Sequence, residues 1–490
     1  MVNRWRLLGF CAGVLIFILM LITAPPAGLS LAGWHTAAVG ILTALLWVSE
    51  LLPIAVTSLL PLILFPLLGI GGIKETAAPY ANPLIFMFMG GFIIALAMQR
   101  WNLHRRLALS IIHVIGVQPR RIIAGFMIST ALISMWVSNT ATALMMLPIG
   151  LSVVELSLAY DADPQEAKRF SVSLLLAIAF AASIGGMGTL IGTPPNTLLS
   201  GFMQETFHHT IGFAQWMGIG LPLAVIGLPL SYLVMVYWLF PVKRLEIKGG
   251  DHFIADELKK MGRLSFQEKA VALIFAATAL SWIFQPLIVK IIPGLTDTAV
   301  ALFGALCTFL VPAEGAKGQF LMDWKSAEKL PWGILLLFGG GLSLAWAISN
   351  SGLSFWLGSQ LTALSSVPLF IMVLLIAATV TFLTGFTSNT AVAAAFLPIS
   401  ASVAVSLGQN PLLFAIPTAV ASSCAFMLPV ATPPNAIVYS SGHIPIGQMV
   451  RAGTVLNLLF ILLVTVLTFL MVPAVFDVQM GVLPDWAISK

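Results

Sequence analysis

The short polar segment Ser-Asn-Thr-Ala at 138–141 occurs twice in this 490-residue chain, and its second copy lies at 388–391. Each copy is followed by Leu-Pro-Ile, at 147–149 and at 397–399. Both pairs are 250 residues apart. Two elements repeated at one spacing indicate an internal duplication.

Two further pairs extend the repeat. Gly-Gly at 90–91 matches Gly-Gly at 339–340, and Thr-Pro-Pro-Asn at 193–196 matches the same four residues at 432–435. The four pairs follow one another in the same order in both halves of the chain. The sequence therefore predicts two copies of one folding unit.

The composition places both copies in a membrane. The chain is 59% hydrophobic and 8% charged, whereas soluble domains carry roughly 25% charged residues. No alternating ten-residue pattern suggests a barrel, so we predict an all-α polytopic membrane protein. Eleven apolar stretches are long enough to cross the hydrocarbon core as helices. They lie near 7–23, 34–49, 52–70, 83–99, 172–203, 216–240, 270–289, 294–312, 331–350, 411–440 and 452–473.

The basic residues predict how these helices are oriented. With the N-terminus in the cytoplasm, all but Lys74, Lys290 and Lys490 of the 23 Lys and Arg residues fall on the cytoplasmic side. This bias follows the positive-inside rule. It explains the net positive charge without a nucleic-acid partner, and it predicts an inner-membrane protein whose C-terminus is periplasmic.

The apolar stretch at about 122–158 lies between two basic pairs, 120–121 and 168–169, that are both predicted to be cytoplasmic. This stretch must therefore enter the membrane and return, as a re-entrant helical hairpin with Ser-Asn-Thr at its tip. The second such stretch, about 366–407, lies in a region without Asp, Glu, Lys or Arg. We predict that it enters from the opposite side, which gives an inverted-topology repeat typical of secondary transporters.

The two Thr-Pro-Pro-Asn segments each interrupt a long apolar helix. Interrupted helices at matched positions of two repeats are the best sequence indication of a transport site. Helix N-termini and Ser, Thr and Asn side chains bind anions, and freed backbone carbonyls bind a hard cation. Two pseudo-symmetric halves favour a small dicarboxylate. Alone, such segments are more often caps, turns or kinks.

Other residue types give weaker indications. Glu50 and Glu155 are candidate intramembrane carboxylates, although both lie near predicted helix ends, where a structural role is common. The three cysteines, Cys11, Cys307 and Cys424, lie in apolar runs and predict neither disulfides nor a transition-metal site.

The chain resembles the divalent anion–sodium symporter (DASS) family, which includes the sodium/dicarboxylate cotransporters of bacteria. The segments that carry the resemblance are 134–143, 192–196, 384–391 and 428–437. The resemblance implies a homodimer whose transport domain moves as an elevator against a scaffold domain. The scaffold would comprise 1–116 and 246–365, the latter including a cytoplasmic loop. The transport domain would comprise 117–245 and 366–490.

The resemblance also implies individual roles. It predicts substrate contacts at Ser138, Asn139, Thr140, Thr193, Pro194, Ser388, Asn389, Thr390, Thr432 and Pro433. It predicts one sodium site at Ser134, Ser138, Asn139 and Gly192, and another at Thr384, Thr387, Asn389 and Ala431. Some bacterial members carry Glu where this chain has Gly385 and Ala where it has Thr387.

The expected function is therefore sodium-coupled symport of small divalent carboxylates such as succinate, malate or fumarate, with no cofactor. Sodium-independent dicarboxylate exchange, and citrate or sulfate transport, remain alternatives within the same fold. A membrane enzyme would need a nucleophile–base pair or clustered metal ligands, and neither motif occurs. An open channel fits duplicated hairpins less well than alternating access does.

Overall fold

A computed structural model describes residues 4–49, 51–116, 118–159, 163–242, 250–313, 318–360 and 367–488. The described secondary structure is helical, as predicted. Glu50 lies outside the described residues, and the predicted domain boundaries at 245–246 and 365–366 fall in segments that are also outside them.

The chain begins with helices that precede the first hairpin. They are α1 (Arg4–Ile22), α2 (Leu31–Ser49), α3 (Ile54–Thr57), α4 (Leu60–Leu67), α5 (Ile73–Ala77), α6 (Pro83–Arg100) and α7 (Leu103–Ile115). Asn82 fixes the start of α6, because its side chain accepts a hydrogen bond from the N–H of Leu84 and Pro83 occupies the first helical position.

The first repeat continues with the hairpin and the interrupted helix. Its helices are α8 (Pro119–Ser134), α9 (Asn139–Ala159), α10 (Pro164–Gly186), α11 (Pro194–Phe207) and α12 (Phe213–Leu233), which a π-helical segment (Val234–Leu239) extends. We call α8 and α9 the first hairpin and residues 187–193, between α10 and α11, the first break. Helix α10 is buried on all sides from Phe170 to Gly186, so it forms the centre of this region.

The connection to the second repeat consists of α13 (Gly250–Lys260), α14 (Phe266–Ile283), α15 (Gln285–Ile288), α16 (Asp297–Leu310) and α17 (Trp324–Ala327). The second repeat begins with α18 (Trp332–Asn350), which carries Gly339 and Gly340, and α19 (Leu353–Gln360). The second repeat ends the chain with α20 (Leu369–Thr384), α21 (Asn389–Ser406), α22 (Leu412–Ser422), α23 (Pro433–Tyr439) and α24 (Ile446–Phe476). We call α20 and α21 the second hairpin and residues 423–432 the second break.

The two repeats match helix by helix. Helices α9 and α21 begin 250 residues apart, at Asn139 and Asn389, and α11 and α23 begin 239 residues apart, at prolines. The residues before those prolines have almost the same extended backbone, with φ and ψ of −143° and 141° at Thr193 and −142° and 150° at Thr432. The predicted duplication is thus confirmed in the conformation of the chain.

Among the described residues, seven of the eleven predicted crossings coincide with helices that are long and apolar enough to span a bilayer. Nine helices of the described chain are long and apolar enough to span a bilayer, and this set includes α9 and α21 of the two hairpins. Several predicted crossings are assembled from shorter pieces instead, such as α3 with α4 and α22 with α23. The total of eleven crossings remains a prediction.

Ion pairs join segments that are predicted to be cytoplasmic. Arg105 of α7 lies 2.8 Å from Glu257 of α13, and Arg106 lies 2.7 Å from Glu268 at the start of α14. Arg100 pairs with Asp323 at 2.5 Å. The amphipathic helices α7 and α13 were not expected from hydropathy, because neither is long or apolar enough to cross a membrane.

Candidate functional site

A cavity of about 790 Å³ lies where the two hairpin tips and the two breaks meet. Its lining includes residues 138–140, 191–194, 388–390 and 429–434. All ten side chains predicted to contact substrate are among its lining residues: Ser138, Asn139, Thr140, Thr193, Pro194, Ser388, Asn389, Thr390, Thr432 and Pro433. Segments up to 295 residues apart in the sequence therefore converge on one site.

Apolar residues from other helices complete the wall of the cavity. They come from 52–55, from Phe92 of α6, and from Pro331, Ile334 and Leu337 at the start of α18. These contacts were not predicted from the sequence. Apolar residues in an apolar chain carry no functional signal, and the prolines at 53 and 331 mark only the starts of α3 and α18.

The first hairpin brings several oxygen atoms together behind the cavity. The fully buried Ser134 ends α8, and its Oγ donates to the carbonyl oxygen of Ala182 at 2.7 Å. One end of the Asn139 side-chain amide lies 2.6 Å from Ser134 Oγ, 3.1 Å from the Ala182 oxygen and 3.3 Å from the Gly192 oxygen. With its NH₂ at that end, the amide satisfies these acceptors. With its oxygen there, that oxygen lies within 3.3 Å of three others, and oxygen clusters of this kind bind hard cations.

The second hairpin repeats this arrangement. Thr384, also fully buried, ends α20, and its Oγ1 lies 2.7 Å from Asn389 Oδ1 and 2.7 Å from the carbonyl oxygen of Ser422. Ser134 and Thr384 are 250 residues apart, and Ala182 and Ser422 are 240 apart. The two halves thus present equivalent oxygen clusters.

The remaining predicted residues differ in position. Gly192 and Ala431 line the cavity, whereas Thr387 does not, and its hydroxyl lies 3.4 Å from the Leu383 oxygen of its own hairpin. Glu155 lies on an exposed face of α9, away from the cavity lining. Among the described residues, no cluster of three or more His, Cys, Asp or Glu side chains is placed to hold a metal ion.

Backbone N–H groups reach the cavity mainly from the hairpins. The first N–H groups of α9 and α21 have no acceptor inside their helices, and Asn139, Thr140, Asn389 and Thr390 line the cavity. At both breaks, by contrast, two prolines occupy the first helical positions and carry no N–H. Anion binding by backbone donors is therefore expected at the hairpins rather than at the breaks.

The cavity is electrically neutral in its side chains. No Asp, Glu, Lys, Arg or His occurs among the lining residues that the structure describes. A dianion entering this cavity would therefore lose hydration without meeting a cationic side chain, which is costly unless cations bind with it.

An aromatic cluster, which the sequence analysis did not identify, packs beside the first hairpin. Trp136, which lies in the turn of this hairpin, stacks on Phe213 of α12 with 5.9 Å between ring centres. Phe213 in turn stacks on Trp282 of α14 at 4.6 Å. Phe275 of α14 meets Trp136 edge-on at 5.0 Å. These rings connect the predicted transport and scaffold domains.

A pair of matched glycines was also missed. Gly220 of α12 lies against the carbonyl of Met187, and Gly453 of α24 lies against the backbone of Phe426 and Met427, so that a Cβ at either position would overlap the adjacent break. The signal was present in the sequence, because Gln215 and Gly220 recur as Gln448 and Gly453 at a spacing of 233.

Two solved structures of transporters resemble this fold. The Alcanivorax borkumensis YdaH transporter covers 97% of this chain and 97% of its own, with a TM-score of 0.57 and 15% identity. Neisseria gonorrhoeae MtrF covers 94% of each chain, with a TM-score of 0.57 and 13% identity. At these identities the likeness concerns the fold alone.

Sequence relatives are much more similar. The sodium-dependent dicarboxylate transporter SdcS of Staphylococcus saprophyticus is 42% identical over 484 residues, which cover 97% of this chain and 93% of SdcS. SdcS of Staphylococcus aureus strain NCTC 8325 is 41% identical over 487 residues, with the same coverage. Residues 4–476 match the family described as the sodium:sulfate symporter transmembrane region. The chain therefore belongs to the sodium:sulfate symporter family.

Proposed function

We propose that this protein is a secondary transporter that couples a sodium gradient to the uptake of small divalent carboxylates. The observation that carries the proposal is the cavity in which two Ser-Asn-Thr tips and two Thr-Pro-Pro segments meet without a charged side chain. The names of the SdcS relatives support both the ion and the substrate class. The described lining residues include no nucleophile–base pair, and the names of the relatives likewise favour transport over catalysis.

Sodium supplies the positive charge that the cavity lacks. The first sodium ion binds at Ser134, Ser138, Asn139 and Gly192, and the second at Thr384, Thr387, Asn389 and Ala431. The oxygen clusters around Asn139 and Asn389 support these assignments, since oxygen is the ligand that hard cations prefer. No further cofactor takes part.

The substrate lies between the two sodium ions, with one carboxylate at each hairpin. The N–H groups that begin α9 and α21 and the side chains of Ser138, Thr140, Ser388 and Thr390 hold the two carboxylates. Thr193, Pro194, Thr432 and Pro433 close the cavity from the breaks. The matched geometry of the two halves favours a substrate with two similar anionic ends.

The protein lies in the inner membrane with its N-terminus in the cytoplasm. The ion pairs of Arg100, Arg105 and Arg106 support this orientation, because they gather basic segments on one side. Residues 331–337 of the cavity wall come soon after Asp323, which pairs with Arg100, so this part of the wall begins near the side predicted to be cytoplasmic. This position favours a cavity open to the cytoplasm. The inverted repeat, the homodimer and elevator movement between scaffold and transport domain are further parts of the proposal, supported by the family resemblance.

Uptake of labelled succinate into proteoliposomes tests the proposal. We expect uptake when sodium is outside and choline inside, and loss of uptake when choline replaces external sodium. Uptake that continues without sodium but requires internal dicarboxylate would contradict symport and establish exchange. Competition by excess malate, fumarate, citrate and sulfate then identifies the anion class.

A further inference from the structure

The side chains that hold the first break are not among the proposed sodium ligands. Every residue of the break, from 187 to 193, is buried, and Asn196 in the first turn of α11 is fully buried beneath it. Such a loop must satisfy its backbone groups within the protein, because water does not reach them.

Asn196 caps the helix on the other side of the break. Its Nδ2 donates to the carbonyl oxygens of Gly186 at 3.1 Å and Thr189 at 2.7 Å. Gly186 ends α10, so its carbonyl has no helical partner, and Thr189 lies within the break. A side chain from the second half-helix thus ties down the end of the first.

Thr189 ties the same break to the first hairpin. Its Oγ1 donates to the carbonyl oxygen of Met135 in the hairpin turn at 2.5 Å and accepts from the N–H of Gly192 at 3.1 Å. Thr189 is fully buried, so water does not compete for its hydroxyl. One hydroxyl therefore holds both the turn that follows Ser134 and the peptide group whose N–H belongs to Gly192.

This hydrogen-bond network sets the orientation of the Gly192 carbonyl. The Gly192 oxygen lies 3.3 Å from the same end of the Asn139 amide that lies near Ser134 Oγ and the Ala182 oxygen. No room exists for a side chain here, because a Cβ on Gly186 would overlap the Asn139 amide. The Gly192 oxygen keeps this direction only while the break keeps its shape.

We propose that Thr189 and Asn196 are positioning residues of the first sodium site. Neither touches the ion. Together they hold the Gly192 carbonyl and the Met135 turn at the distance that the ion requires, so losing the Thr189 hydroxyl weakens sodium binding more than substrate binding. This inference rests on the proposed sodium coupling.

The test compares Thr189→Val, which keeps the shape and removes the hydroxyl, with Thr189→Ser, which restores it. A matched control is Ser200→Ala, which also removes a fully buried hydroxyl. The Ser200 hydroxyl donates to the Ile211 oxygen at 2.9 Å, and this bond does not involve the hairpins. Three quantities are measured for each purified variant: the sodium concentration for half-maximal succinate uptake, the succinate KM at saturating sodium, and the rise in Tm when sodium chloride replaces choline chloride.

For Thr189→Val we expect the half-saturating sodium concentration to rise at least about fivefold, which is the effect of one lost hydrogen bond. The succinate KM should change less than about twofold, and Thr189→Ser and Ser200→Ala should stay within about twofold of the wild type. The sodium-induced rise in Tm should shrink in Thr189→Val alone. If that variant is not recovered folded, Thr189→Ala serves in its place, since it removes the hydroxyl without adding a branch.

An unchanged half-saturating sodium concentration in the folded variant would overturn the inference, as would a Thr189→Ser variant as impaired as Thr189→Val. In both cases a wild type that still responds to sodium would leave the proposed function intact. A wild type whose uptake and Tm ignore sodium would instead overturn the proposed function and this inference with it.

Discussion

The two breaks occupy equivalent places in the repeats but are held differently. In the first break four described side chains bind its backbone: Thr189, Asn196, Thr197 and Trp216. In the second break two do so: Asn435 donates to the oxygens of Ala425 at 2.9 Å and Leu428 at 3.0 Å, and Asn457 accepts from the N–H of Phe426 at 3.2 Å.

The residues explain this difference. A spacing of 239 places Leu428 where the first repeat has Thr189, and Ala436 where it has Thr197. Neither carries a hydroxyl. The two breaks also differ in exposure: Ile191 in the first break is 5% exposed, whereas its counterpart Val430 in the second is 75% exposed.

The comparison indicates that the same motif is held by different side chains in the two halves. In the proposed function, shared residues, the Ser-Asn-Thr tips and the Thr-Pro-Pro-Asn segments, provide the ligands in both halves. Residues that differ between the halves set the stiffness of each break. We therefore expect the first sodium site to be preorganised and the second to complete its geometry as substrate binds.

The largest effect is expected where the halves are alike. Asn139→Ala and Asn389→Ala should each reduce uptake about 100-fold or more, because each removal leaves buried oxygen atoms without a partner. The measurement is initial succinate uptake at matched protein, with size-exclusion chromatography as the control for folding. Uptake above about a tenth of the wild-type rate in either variant would contradict the shared ligand role.

A smaller effect should separate the two halves. Asn435→Ala removes the side chain that joins Ala425 to Leu428 and leaves Asn457 to hold the second break, so we expect uptake to fall about 30-fold. Asn196→Ala leaves Thr189 and Thr197 in place, and uptake should fall only about fivefold. Both variants are compared in proteoliposomes at the sodium concentration that half-saturates the wild type. Equal losses, or a larger loss for Asn196→Ala, would show that the breaks do not differ in the way their hydrogen bonds suggest.

The smallest effect should come from making the halves more alike. Leu428→Thr introduces a hydroxyl at the position of Thr189, within the second break. We expect the half-saturating sodium concentration to fall about two- to threefold and the maximal rate to fall by a similar factor, because a stiffer break binds better and moves less readily. Leu428→Val is the control, since it adds a branch without a hydroxyl. Identical behaviour of the two variants would refute the comparison.

Much of this site was predictable from the sequence, because duplication marks function without any knowledge of contacts. The spacing of 250 identified Asn139 and Asn389, and the recurring Thr-Pro-Pro-Asn segments identified the breaks. The cavity contains both sets. Helix ends were less accurate: the predicted crossing at 172–203 begins at Pro164, because Asp163 caps α10 through the N–H of Gln165.

What could not be predicted depends on partners distant in sequence. Thr189 bonds to Met135, 54 residues earlier, and no local pattern distinguishes it from other threonines in apolar helices. Trp136, Phe213 and Trp282 are three of many aromatic residues in the chain, and only the fold stacks them. The wall residues at 52–55 likewise acquire their role from tertiary packing.

The central claim is that a cavity without ionisable side chains binds a dianion with sodium as its counter-charge. The most direct test is the initial rate of succinate uptake between about pH 5 and pH 8, at a fixed inward sodium gradient and with the proton gradient collapsed. The rates are plotted against the calculated concentration of the dianion. The account predicts that all rates fall on one saturation curve, because the described lining residues carry no group that titrates in this range. Rates that scatter from that curve, or that vanish with the proton gradient, would contradict it.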